Sequence, residues 1–118
     1  MAKTVNEIIV TALQSLDLPV VERLYEGKKK EYITFNYADD RAEDFGDDSP
    51  HADVAYMQVH YICTWDTDFD ATKRKIRQLL FDAGFSWPEV TDASDDYEKV
   101  RHFVYECWIE NDYELEES

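Results

Sequence analysis

The chain has 118 residues, which suits one domain. A domain of that size buries roughly 65% of its unfolded surface, enough for a core without disulfide or metal staples. Apolar residues make up 44%, too many for a disordered chain, and 27 acids against 12 bases give a net charge of −15. Such a surface repels a phosphate backbone and anionic membranes. It suits basic protein partners, or a surface that DNA passes without sticking.

Two cysteines, Cys63 and Cys107, each inside an apolar stretch, read as reduced core thiols rather than a disulfide framework. No stretch has the length of a membrane span, and the first apolar run, Ile8 to Val10, follows Glu7 and is soon broken by Gln14 and Ser15. A cytoplasmic, membrane-free protein is the expectation.

The first element is a helix. Thr4 and Glu7 stand at capping-box spacing, and Val5, Ile8, Ile9, Ala12, Leu13 and Leu16 mark one face. Asp17-Leu18-Pro19 ends it. Val20 to Tyr25 and Glu31 to Tyr37 read as two strands joined by the Glu26-Gly27-Lys28 turn, a β-hairpin. In the second, Ile33, Phe35 and Tyr37 share a face.

Residues 38–53 hold Asp39, Asp40, Glu43, Asp44, Asp47, Asp48 and Asp53 against Arg41 alone. They read as a long, mobile acidic loop at the tip of an extended hairpin; loops of this length are usually functional or disordered. Val54 to Trp65 alternates, with Met57, Val59, Tyr61, Cys63 and Trp65 on one face and Tyr56, Gln58, His60, Ile62 and Thr64 on the other. One dry and one wetter face predict an antiparallel sheet covered on one side.

A second helix starts near Asp68 to Asp70, where acids suit its positive end, and runs to Ala83 with Ile76, Leu79, Leu80 and Ala83 inward. Gly84 then suits a left-handed cap. Ser86 to Val90 reads as a short strand, Asp92 to Asp96 as a loop and Tyr97 to Ile109 as the last long strand. The tail, 110–118, reads as acidic and frayed. The expected fold is α+β in the order α-β-β-β-α-β-β: four to five mainly antiparallel strands with both helices on one face.

Chemistry-bearing patterns are sparse. Asp66, Asp68 and Asp70 open like a calcium loop, but Ala71 stands where a Gly turns the chain and Arg77 where a bidentate Glu is needed, so helix capping explains the acids better. His51, His60 and His102 lack zinc spacing, and the cysteines form no CxxC pair. His60 and His102 become cross-strand neighbours if their strands pair. With three glycines the chain has no phosphate loop or dinucleotide fingerprint, and no nucleophile elbow is present. The expectation is a protein that is not an enzyme and needs no cofactor and no metal.

Two charge features remain. The acidic segment is either a solvated connection or a surface lining a channel or meeting a basic partner. Lys73, Arg74, Lys75 and Arg77 form the one dense basic cluster. They are either a solvated face pairing with nearby acids, or a subunit interface that meets the acidic surface of another copy head to tail.

The order of elements, with the strings Tyr25-Glu26-Gly27, Glu31 to Asn36, Tyr56 to His60, Ala83-Gly84-Phe85 and Arg101 to Tyr105, resembles the small tail-completion (tail-terminator, minor tail) proteins of long-tailed phages and prophages of Gram-positive bacteria. The likeness spans nearly the whole chain. It implies a structural protein of the virion, assembled in the host cytoplasm into a ring of six copies. That ring caps the tail tube and joins it to the head, with the tube protein and a head-completion protein as partners. DNA passes through without specific binding, past an acidic lumen. The alternative that the acidity permits is an acidic DNA-mimic inhibitor of a basic nucleic-acid-binding protein, against which the clustering of seven acids in one expected loop argues.

Overall fold

Thr4 Oγ1 accepts the Glu7 amide at 3.2 Å while Glu7 Oε1 accepts the Thr4 amide at 2.9 Å, so the capping box is closed. Helix α1, Val5–Leu13, follows and tightens into one 3₁₀ turn, Gln14–Leu16. Asp17, at φ 59°, ends it in the left-handed region. The computed structural model describes residues 4–43 and 52–111.

Five strands form one sheet: β1 (Val20–Glu22), β2 (Tyr32–Glu43), β3 (Ala52–Thr64), β4 (Glu89–Asp92) and β5 (Val100–Asn111), in the spatial order β1-β2-β3-β5-β4. Helix α2, Asp70–Asp82, lies between β3 and β4 in sequence. Ile9 and Leu13 of α1 and Ile76 and Leu80 of α2 share a core with Ile33, Phe35, Met57, Val59, Tyr61, Phe103 and Tyr105. Both helices therefore cover one sheet face, and among the described residues the other is bare. The expected α+β class and element order are observed.

The expected hairpin of the first two strands is not. β1 runs parallel to β2, with Val20 opposite Ile33 and Glu22 opposite Phe35. Arg23, at φ 68°, turns the chain out of the sheet after three residues, and its amide donates to Phe35 O at 2.8 Å. Alternation tells which side chains share a face but carries no strand direction.

The expected loop at 38–53 is also corrected. β2 and β3 stay paired through Asp39–Tyr56, Asp40–Ala55, Arg41–Val54, Ala42–Asp53 and Glu43–Ala52, with a bulge between Tyr37 and Asp39. Asp39, Asp40 and Glu43 are thus strand residues, whereas Asp44, Asp47, Asp48 and His51 lie outside the described residues. Asp is a poor strand former, but β3 is held on its other side by β5 out to Asp53–Asn111, and that pairing overrides local preference.

Smaller shifts have local causes. β3 ends at Thr64, before Trp65. β5 starts at Val100 rather than Tyr97, because Asp95 Oδ1 accepts the amides of Tyr97 and Glu98 and holds a turn. Glu110 and Asn111, expected in the tail, continue β5, and 112–118 lie outside the described residues. β4 covers Glu89–Asp92 instead of 86–90. The N-cap of α2 is Phe69, with no side-chain cap: Asp66 instead accepts Thr64 Oγ1 at 2.7 Å, and Asp70 pairs with Arg74. Gly84 takes the expected positive φ, 112°, after the helix.

Candidate assembly surface

Helix α2 turns Ile76 and Leu80 into the core, and this places its four cations. Lys73 and Arg77, one turn apart beside that stripe, are drawn over aromatic rings. Lys73 Nζ stands 4.8 Å above Phe103, and the Arg77 guanidinium 4.9 Å above Trp87 while its Nε donates to Pro88 O at 2.8 Å. Arg74 pairs with Asp70 on its own helix and leaves its side chain 77% exposed. Lys75 is exposed. The sequence cluster is therefore split: two cations fasten the helix to the sheet edge, and two point outward. A groove of about 570 Å³ runs between α2 and β4, with Lys73, Arg74 and Arg77 on one side and Trp87, Val90 and Phe103 on the other.

Tyr105 ties the same layers together, its hydroxyl donating to Lys73 O at 2.8 Å. Burial pushes its pKa up. Tyr61 donates to Glu31 Oε2 at 2.5 Å, so both buried phenols are satisfied.

The bare face carries a polar ladder across β2, β3 and β5. His60 Nε2 lies 2.9 Å from Asn36 Oδ1, an acceptor, so that nitrogen carries the proton. His60 Nδ1 is then the acceptor for His102 Nε2–H at 2.8 Å. Asn36 Nδ2 donates to Gln58 Oε1 and Gln58 Nε2 to Glu106 Oε2, each at 3.4 Å. Burial holds both imidazoles below the usual value; the neighbouring His102 adds to this at His60, while Asp92 opposes it at His102. The sequence makes the two histidines cross-strand neighbours only if their strands pair and otherwise two partly exposed strand residues; the strands pair, and the histidines meet diagonally, since His60 faces Val104 and Ile62 faces His102. Among the described residues no three His, Cys, Asp or Glu side chains stand together as a metal site, and that includes Asp66, Asp68 and Asp70.

Further along the bare face lies a cleft of about 490 Å³ lined by Tyr56, Trp87, Trp108, Glu89 and Glu106. Sequence reading missed it. Tyr56 and Trp108 are register partners, as are Glu89 and Glu106, and only the register brings them together. A large aromatic at an outward strand position, Trp108, was the available signal.

The fold is shared with a chain from the "Virion of native gene transfer agent (GTA) particle". The two superpose with a TM-score of 0.61 over 90% of this chain and 92% of that one, at 11% identity. No protein-family model matches the sequence, and no curated protein matches it. At this identity the likeness establishes the fold, from the first helix to the last strand.

Proposed function

We propose that the chain is a structural component of a phage-type particle, a tail-completion protein. It acts in several copies, as a ring of six at the end of the tail tube, where tail joins head. The observation that carries this reading is the end-to-end likeness to a virion chain, which leaves almost nothing of either chain unmatched. The charge distribution supports it. Arg23, Lys28 to Lys30, the α2 cations, Lys99 and Arg101 lie away from the acidic β2–β3 arm of Asp39, Asp40, Glu43 and Asp53. That end is mixed, its cations interleaved with Asp66, Asp68, Asp70, Asp92, Asp95 and Asp96, so cationic patches there can meet the arm of another copy, and the arm lets DNA pass an acidic wall. In this reading the protein acts through contacts and not through catalysis.

Labelling of the protein in purified particles tests the reading. Signal at the head-proximal end of the tail is expected; particles that lack the protein would overturn it.

The ladder that holds Asp39, Asp40, Glu43 and Asp53 favours one second reading, an acidic inhibitor that imitates DNA. Acids on a paired strand are more regularly spaced than acids on a free loop. Salt-dependent competition with DNA for a basic nucleic-acid-binding protein would distinguish it.

A further inference from the structure

The cleft on the bare sheet face brings two acids together. Glu89 and Glu106 stand directly opposite each other across β4 and β5, both exposed. Like charges in that relation destabilise a sheet. Among the described residues neither carboxylate has a cationic partner; Glu106 receives only the amide of Gln58. Around them stand three aromatic residues. Trp108 is 44% exposed with Tyr56 as its register partner, while Trp87 forms the rim, its ring already engaged by Arg77 and Phe81. Aromatic faces beside carboxylates bind ammonium and guanidinium groups, through the ring quadrupole and the charge together. Trp and Tyr are also the side chains that dominate protein contacts.

On the opposite side of the molecule, the helix layer offers the complement. Arg74 and Lys75 project from α2 once Lys73 and Arg77 have been drawn over Phe103 and Trp87. Each copy therefore carries exposed cations on its helix face and an aromatic, acid-lined cleft on its bare face. We propose that the cleft receives Arg74 and Lys75 of a second copy of this chain. The helix layer of one copy stacks on the bare sheet of the next, and the cations sit between Glu89 and Glu106 against Trp108. Donor and acceptor surfaces differ, so the contact is head-to-tail, and it closes into a ring when the rotation between copies permits. The inference rests on the self-assembling role proposed above. It moves the receiving surface from the acidic arm, where charge alone would place it, to the cleft.

Charge swapping tests it, with self-association of the full chain at low salt measured by light scattering up to millimolar concentration. R74E/K75E and E89K/E106K should each weaken association about ten-fold or more. The four-fold variant, which restores the pairing with reversed sign, should recover it. Reversal of the exposed turn lysines, K28E/K29E/K30E, should leave it unchanged, and circular dichroism confirms that each variant is folded. Trp108→Ala should weaken association without any change of charge. A wild-type chain that stays monomeric overturns the contact. So does association lost on reversing Lys28 to Lys30 but not Arg74 and Lys75, or a folded four-fold variant that does not recover. A chain that fails these tests and still labels particle ends would keep the proposed function and lose only this interface.

Discussion

His60 accepts a hydrogen bond from His102 across β3 and β5, Nδ1 to Nε2 at 2.8 Å, and passes the same polarity on to Asn36. The chain of donors has one direction because Asn36 Oδ1 can only accept. A first added proton goes to His102 Nδ1 and leaves the bond from His102 Nε2 to His60 intact; a second, on His60 Nδ1, sets two protonated nitrogens and two cations against each other. Stability should therefore depend on pH. Both folded-state pKa values lie below the ordinary 6.5, so the unfolded chain binds more protons in the window just below 6.5. Stability is complete above that value and falls as pH drops through it toward the folded values. A melting series should show Tm falling on acidification below 6.5. His102→Gln should flatten that part of the curve, and an unchanged slope would refute the account.

The two thiols should be inert in the folded protein. Cys63 and Cys107 are buried, and burial raises both pKa values, that of Cys107 to about 12. A thiol reagent at neutral pH should label neither until denaturant is added, and then both. Labelling at native rates would show that the core opens.

Thr4→Ala should remove the capping box at the start of α1 and cost ~1 kcal/mol, a fall in Tm of about 4 °C. Glu7→Ala should cost less, since it leaves the Thr4 hydroxyl on the Glu7 amide.

Gly84→Ala isolates backbone strain. A Cβ there would approach Ile109 Cδ1 no closer than 3.5 Å, an ordinary contact, so the penalty is the positive φ of 112° alone. We expect about 1–2 kcal/mol by urea denaturation, less for Gly84→Asn.

Tyr105→Phe removes the hydroxyl that joins sheet to α2 and should cost about 1 kcal/mol, with the fold retained. Together with Lys73→Ala it should loosen the helix more than the sum of the single changes, because both side chains engage the same turn of α2 against Phe103 and β5.

Most of the fold was legible because its signals are local. Alternation from Met57 to Cys63 and from Phe103 to Cys107 marks the buried faces, and Ile76, Leu79 and Leu80 mark the helix stripe. The parallel pairing of β1 was not, because nothing between Glu22 and Tyr32 encodes direction beyond the positive φ of Arg23. Residues Asp39 to Glu43 looked like loop because acids disfavour strands; the partner that overrides this is supplied by distant Ala52 to Tyr56. The basic cluster was visible as a cluster. Its division into inward Lys73 and Arg77 and outward Arg74 and Lys75 follows from helical spacing relative to Ile76. The aromatic cleft needed two registers at once, β3 with β5 and β5 with β4, which no local pattern contains.

The shortness of β1 has a cost elsewhere. It covers β2 only from Ile33 to Phe35, so from Asn36 onward no other strand among the described residues pairs with that row of the β2 backbone, although the Asn36 side chain donates to Tyr37 O at 3.3 Å. An edge of that length is a template on which other chains can polymerise into fibrils. Asp39, Asp40 and Glu43 fall along that row, and like charges on a second such edge would meet them. Part of the acidity of this chain thus acts as a gatekeeper, opposing edge-to-edge pairing of an extended strand pair.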